Sequence, residues 1–372
     1  MLKLNNFLPI FESIKNSNQI SLMTHHSPDG DAIGSTLALL LFLRKIGKNA
    51  NSFYIDEIPE YSLRLLKTNN LSKFDTKDET KQNEYKDYIQ NSDLVFILDV
   101  NNKRRVGAPA EYINFANAKT VIIDHHLEPE EFVDEIYFDT DTTSTCEIIY
   151  KLIWSYSYWL KNQNLPSTLS IDSTLDFADK SYLDYFDNDI AICIYNGILT
   201  DTGNFKYFRT DAEILRIAAN LLEYEIDLVE THKTIFESMS LEKYQLKTLC
   251  LKNTQFFYNH QLAIAALSSK DFEATETSTE DTEGFSSMPL EISGLKIAIF
   301  IQEDPKAIGT GENGTNMFRI SFRSFGAISI RDMAAHFGGG GHKNASGAKA
   351  YAKDINTLIS NIKDYVGQEF GL

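Results

Sequence analysis

Hydrophobic and polar positions along the 372-residue chain follow two rhythms. Residues 1–18 place Leu4, Phe7, Leu8, Phe11 and Ile14 at helical spacing, which predicts an amphipathic helix. Short, mostly apolar runs follow: "ISLMT" (20–24), "LVFILDV" (94–100) and "TVIIDHH" (120–126). Each has the length of a strand and no polar alternation, as in strands covered on both faces. Helical stretches lie between them. "AIGSTLALLLFLRKIG" predicts a long apolar helix ended by Gly47. "TSTCEIIYKLIW" starts another, where Ser144 and Glu147 fit a capping box. "IAICIYNGILTDTG" (190–203) is a further apolar segment that runs into Asp201. Strands alternating with helices predict an α/β domain built on a doubly wound, mostly parallel sheet.

The pattern then changes. A polar, acidic stretch at about 160–187 reads as a surface insertion. Residues 211–250 carry helical spacing without strand signals. From about 256, strands return in "FFYNHQLAIAAL", "LKIAIFIQ" and "MFRISFRS", with a Thr/Glu/Asp-rich loop (271–284) and a Gly-rich loop (308–315) between them. "SIRDMAAHFGGGGHKNASG" (329–347) adds a short helix, four consecutive glycines and a histidine. The expected organisation is an N-terminal domain over 1–210, a helical linker over 211–250, and a smaller α/β domain over 251–372.

Composition narrows the class. With 43% hydrophobic and 23% charged residues, the chain can bury a core. No apolar run reaches the roughly 20 residues that span a bilayer, so no membrane association is expected. The N-terminal residues lack the pattern of a secretory leader. Three scattered cysteines, Cys146, Cys193 and Cys250, suit buried thiols in a cytoplasmic protein better than a disulfide framework or a zinc site. The net charge of −17 argues against broad binding of long duplex nucleic acid. A small anionic substrate stays open, because bound cations invert the local field.

Four places carry candidate chemistry. Each puts acids or imidazoles straight after an apolar element: His25, Asp29 and Asp31; Asp99; Asp124, His125 and His126; and Asp201. Singly, each has an ordinary explanation. Asp29 and Asp31 in "SPDGD" suit a turn, and Asp31 suits an N-cap for a helix at Ala32. Together the explanations weaken. Ligands bind at the carboxyl ends of strands in open parallel sheets, and five carboxylates gathered there need a counter-charge. Two divalent cations would supply it. A donor set of carboxylates and imidazoles without thiolates suits Mn²⁺, then Mg²⁺ or Co²⁺. Near the C-terminus, the glycines of "FGGGGHKNASG" let backbone N–H groups approach a phosphate. His342 adds a donor there, and Arg323 in "SFRS" offers a planar fork for anionic oxygens.

"HHSPDGD", "FILDV", "IDHH", "GILTDTG" and "GGGGHKNASG", in this order, resemble the motifs of the DHH phosphoesterase superfamily with its DHH-associated C-terminal domain. The match spans nearly the whole chain and looks most like the bacterial nanoRNase/pAp phosphatase type. The resemblance implies a Mn²⁺-dependent hydrolase with two metal ions per chain. Its implied substrates are single-stranded 5′-phosphorylated RNA oligomers a few nucleotides long and nucleotide bisphosphates such as 3′-phosphoadenosine 5′-phosphate (pAp). By position, His25, Asp29 and Asp99 would hold one metal. Asp31, Asp99, His125 and Asp201 would hold the other. His126 would face the scissile phosphate, and Asp124 would orient a ligand imidazole. Arg323, Gly339, Gly340, Gly341 and His342 would grip another substrate phosphate. His26 matches no role. The same metal set would also serve a cyclic or linear dinucleotide phosphodiesterase, or a pyrophosphatase or exopolyphosphatase. A homodimer is compatible with this reading.

Overall fold

Every position of the "LVFIL" run is buried, because its strand lies inside a sheet with both faces covered. In this computed structural model, that strand is one of seven. They are β1 (Leu2–Leu4), β2 (Gln19–Met23), β3 (Asn49–Tyr54), β4 (Ser72–Lys73), β5 (Leu94–Leu98), β6 (Lys119–Asp124) and β7 (Glu135–Phe138). Their order is β1-β7-β6-β5-β2-β3-β4, and each neighbouring pair is parallel. The structure describes residues 2–371 other than 5, 67–71, 74–77, 127–128, 163–175, 208 and 342.

Side chains alternate across this sheet. Leu94, Phe96 and Leu98 join Val121 and Ile123 against the helices Gly30–Lys45, Thr145–Lys161 and Asn188–Asp201. Val95 and Ile97 join Met23, Phe53 and Ile122 on the other face, with Ile89 of the helix Glu79–Gln90. The three helices on the first face approach one another closely at glycines. A Cβ at Gly34 would meet the Cys193 carbonyl oxygen, and one at Gly197 would meet Cys146 Sγ and Asp31 Oδ1. Those two glycines draw the start of one helix and the end of another to the same sheet edge.

Two expectations change and one open assignment is decided. Residues 2–4 form a strand, and the first helix begins at Leu8 with Pro9 in its first turn. Proline is tolerated there but would break a helix continuing back through Leu4. The apolar segment before Asp201, which the sequence leaves open between helix and strand, is the helix Asn188–Asp201, capped by Asp187. It is buried nearly all round, so its apolar run shows neither period. The acidic insertion is only partly a surface feature. Its residues 163–175 lie outside the described residues, but Phe177 and Phe186 are core residues. Trp154 Nε1 donates to Asp179 O (2.9 Å), and Tyr150 OH donates to Phe177 O (3.1 Å).

The chain separates into two compact units, Met1–Ser238 and Met239–Leu372. The stretch 211–250 is shared between them. Ala212–Leu221 and Leu228–Phe236 belong to the first, and Leu241–Lys252 belongs to the second. The second unit holds a six-stranded sheet of β8 (Gln255–Phe257), β9 (Leu262–Leu267), β10 (Ile297–Glu303), β11 (Asn316–Ser324), β12 (Gly340–Gly341) and β13 (Ala345–Ala352). The order is β12-β13-β11-β10-β9-β8, with β9 and β10 parallel and the other pairs antiparallel.

Candidate metal centre

Asp99 is the residue around which the site is built. It follows β5 with φ at +57°, in the left-handed region that non-glycine residues avoid. Its backbone N–H donates to Ile123 O (3.0 Å), which pins this conformation against β6. Backbone strain of about 1–2 kcal/mol is typical of such a residue and clusters at functional sites. The turn aims the carboxylate into a ring of imidazoles. Oδ2 lies 3.4 Å from His25 Nε2, and Oδ1 lies 3.6 Å from His125 Nε2 and 3.5 Å from His126 Nδ1.

The neighbouring acids arrive from helix ends. Asp29 is the N-cap of Gly30–Lys45, accepting from the Asp31 and Ala32 N–H groups at 3.1 Å each. Asp31 is therefore not the cap. It is fully buried, and it caps a different helix: Oδ2 accepts from Thr145 N (2.7 Å) and Oδ1 from Cys146 N (2.8 Å) at the start of Thr145–Lys161. Asp201 ends Asn188–Asp201, where the helix dipole opposes a negative charge. Its Oδ2 lies 3.2 Å from His125 Nε2, and Asp31 Oδ2 lies 3.9 Å from the same nitrogen.

Burial and mutual repulsion disturb these acids. Asp31 is pushed up to about 7, first by burial and then by Asp201. Asp201 also rises to about 7, through burial and Asp29. Asp99 stands well above the carboxylate range, through burial and the neighbouring Asp31. Burial likewise pulls the His125 and His25 imidazoles down, outweighing the acids beside them.

A cation would resolve the conflict. His25 Nδ1 lies 2.8 Å from the His26 carbonyl oxygen, which can only accept, so Nδ1 carries the ring proton. His25 Nε2 is then a bare lone pair facing Asp99 Oδ2 and, at 4.0 Å, Asp29 Oδ2. It is buried without a hydrogen-bond partner. Electron-pair donors face to face suit a bound cation. Among the described residues, three overlapping sets offer donor atoms within 4.8 Å of one another: His25, Asp29 and Asp99; Asp31, His125 and Asp201; and Asp99, His125 and His126. The first two sets coincide with the groupings expected from the sequence, except that the second set does not include Asp99.

Asp124 ends β6 and is fully buried. Its Oδ1 accepts from the His125 backbone N–H (2.8 Å) and from His126 Nδ1 (2.8 Å). It orients His126, not the imidazole of His125. Burial works against ionised Asp124, but the hydrogen bond from His126 outweighs it and lowers its pKa. Burial also works against charged His126, and Asp124 outweighs it, so that imidazole holds its proton more tightly than usual.

Against family models, residues 19–198 match the DHH family, N-terminal domain, and residues 259–368 match the DHHA1 domain. The chain carries a DHH domain followed by a DHHA1 domain, and it is a hydrolase acting on phosphoester bonds. It is 28% identical over 355 residues to the bifunctional oligoribonuclease and PAP phosphatase NrnA of Thermus thermophilus, covering 94% of this chain and 90% of that protein. It is 27% identical over 346 residues to the protein of the same name from Bacillus subtilis, with 93% of each covered. Among solved structures, an exopolyphosphatase-related protein from Bacteroides fragilis superimposes with a TM-score of 0.80 at 25% identity, covering 96% of this chain and 95% of that one.

Several residues of this DHH centre escaped sequence reasoning. Thr145 Oγ1 donates to Asp99 Oδ1 (3.2 Å), while its N–H holds Asp31. The capping-box pattern of "TSTCE" marked the helix start, but not the carboxylate it would receive. Glu147 Oε2 accepts from Thr143 N and Oγ1 (2.7 Å each), and Lys151 Nζ lies 2.7 Å from Glu147 Oε1. This buried pair fixes the loop before the helix. Arg209 Nη1 donates to Thr142 O (3.4 Å), and Arg209 lines a cavity with His125 and Asp201. No local pattern marks it.

In the DHHA1 unit, Arg323 lies on β11, paired with Ala298 and Ala345. It is half-buried, its Nη1 donates to Phe322 O (2.9 Å), and burial lowers its guanidinium pKa. Gly340 and Gly341 form β12 beside Gly347 and Ser346, and Gly339 N donates to Ala334 O (2.8 Å). A Cβ at Gly339 would strike the Gly347 carbonyl, so the glycine is required for that close approach. His342 lies outside the described residues. Among the described residues, no helix is long and apolar enough to cross a membrane.

Proposed function

We propose that the chain is a two-metal hydrolase of the cytoplasm. Its substrates are short 5′-phosphorylated RNA oligomers, cut to mononucleotides, and pAp, converted to AMP. The observation that carries the metal chemistry is Asp99, set between the imidazoles of His25 and His125 with no hydrogen bond to either. The substrates rest on the names of relatives that align over at least nine-tenths of both chains.

His25, Asp29 and Asp99 would hold one cation, and Asp31, Asp99, His125 and Asp201 the other, with Mn²⁺ preferred over Mg²⁺ or Co²⁺. When bound, such cations activate water near neutral pH and neutralise charge on phosphoryl oxygens. The protein's own groups do the rest. Thr145 and the helix start behind it hold Asp99 and Asp31 in place. Asp124 fixes the His126 ring through Nδ1, which leaves Nε2 as the atom able to present a proton to a phosphoryl oxygen. Arg323, Gly339, Gly340, Gly341 and His342 would take a second phosphate of the substrate, through guanidinium and backbone N–H groups. The likeness to an exopolyphosphatase-related structure makes an inorganic phosphoanhydride, represented by pyrophosphate, the comparison substrate.

The test supplies 5′-phosphorylated dinucleotide RNA, pAp and pyrophosphate to the whole chain with Mn²⁺, beside Asp99→Asn. Release of mononucleotide and AMP, lost in the variant, supports the assignment. Turnover of pyrophosphate alone replaces it with the inorganic reading.

A further inference from the structure

Beside Asp201, a cavity of about 180 Å³ is lined by His125, Thr143, Thr202, Tyr207, Arg209 and Thr210. Its volume falls below the roughly 300 Å³ of a site for a whole drug-sized ligand. It suits a fragment such as one nucleobase. The wall is built at a conformational cost. Gly203, Asn204 and Phe205 follow one another with φ at +54°, +61° and +60°. Glycine adopts this conformation freely, but asparagine pays for it and a bulky aromatic residue pays more.

That left-handed turn folds the chain back on itself. The Lys206 and Tyr207 N–H groups both donate to Thr202 O (2.9 and 3.1 Å), and Thr210 N donates to Tyr207 O (3.0 Å). The Tyr207 ring is thereby laid over Gly203. A Cβ there would fall 2.5 Å from Cζ and 2.8 Å from both Cε atoms, so one face of the ring rests on bare backbone. Yet Tyr207 is 60% exposed. An aromatic ring supported on one face and open on the other, beside a catalytic cavity, is a stacking platform. The hydroxyl of Thr210 is buried there without a hydrogen-bond partner. It offers a contact to a ribose hydroxyl or a base edge. Arg209 brings positive charge to a wall otherwise dominated by Asp201.

We infer that this cavity is the nucleoside subsite of the DHH centre, with the base of the substrate stacked on Tyr207. The inference rests on the phosphoesterase reading above and adds what sets the preference for a nucleotide over a plain phosphate ester. Inorganic pyrophosphate and polyphosphate would have no use for the ring.

The test compares pAp with ribose 3,5-bisphosphate, which lacks the base, in the whole chain with Mn²⁺. Wild type and Tyr207→Phe should prefer pAp in kcat/KM by about 5- to 100-fold, the range of one base–aromatic stack. Tyr207→Ala should lose that preference, mainly through KM. An unchanged preference in Tyr207→Ala, or an equal loss on both substrates, overturns the subsite. If wild type hydrolyses neither compound, the phosphoesterase assignment on pAp fails separately. AMP binding by equilibrium dialysis with Mn²⁺ then decides the subsite. Weaker binding in Tyr207→Ala but not in Tyr207→Phe sustains it, and equal affinity or no binding overturns it.

Discussion

Removing a charge from the metal centre should stabilise the metal-free protein while disabling it, and Asp201→Asn isolates that effect. The Asp201 carboxylate is largely covered, at 22% side-chain exposure, and ends a helix whose dipole opposes it. Asn keeps the shape and an acceptor for His125. A rise from 3.8 to about 7 corresponds to about 4 kcal/mol held against the ionised form. Asp31 and Asp99 share the same repulsion and titrate with it, so removing one charge should recover about half, roughly 2 kcal/mol. The sign follows from proton binding. Between about pH 4 and 7 the folded, metal-free protein holds protons that the unfolded chain has released, so its stability falls as pH rises. The advantage of the variant should be near zero at pH 4 and complete above about pH 7. Urea melts of chelated protein would read it. Trp154 and Trp159 both lie in Thr145–Lys161, so tryptophan fluorescence follows the first unit. At pH 8 the melting temperature of that unit should rise by about 4–8 °C. Saturating Mn²⁺ should stabilise wild type more than the variant. If chelated Asp201→Asn is no more stable than wild type at pH 8, or its advantage persists at pH 4, the carboxylates are not in conflict and the argument for a cation falls.

Three further outcomes follow from the same geometry. Asp124→Asn keeps an acceptor for His126 Nδ1 but removes the charge that raises its pKa. The alkaline limb of kcat/KM for pAp should therefore move to lower pH, and an unmoved limb would show that His126 does not carry the working proton. Gly34→Ala forces a methyl against the Cys193 carbonyl, which cannot rotate away as a side chain could. Denaturant melts should show a loss of about 1–3 kcal/mol, with weaker Mn²⁺ binding by calorimetry as the helices carrying Asp31 and Asp201 part. Lys151→Met leaves Glu147 buried without its cation and should cost about 3 kcal/mol. Adding Glu147→Gln should recover most of that loss, and no recovery would mean that the methionine itself is misfitted.

How much of this was legible beforehand depended on whether a signal was local. The strands β2, β5 and β6 were readable because a strand covered on both faces must be apolar at each position. The acids and imidazoles at their ends were readable because polar groups abutting such runs need a reason. The strands β3 and β7 and the helix Glu79–Gln90 carry weaker patterns and went unplaced. The segment before Asp201 was ambiguous, since burial on all sides removes the polar face that distinguishes helix from strand.

The sequence by itself determined the chemistry: the donor types, their order and their attachment to buried elements. Those are properties of single residues and of neighbours in the chain. Tertiary structure alone decided the pairings. Asp31 meets the helix start at Thr145 and Cys146 across more than a hundred residues, and Asp124 holds the ring of His126. Tyr207 became a platform only because a left-handed turn laid it on Gly203. Such contacts depend on how closely two helices approach and which way a turn winds. Both are set by the whole packed core, through glycines whose role shows only when a neighbour is in place.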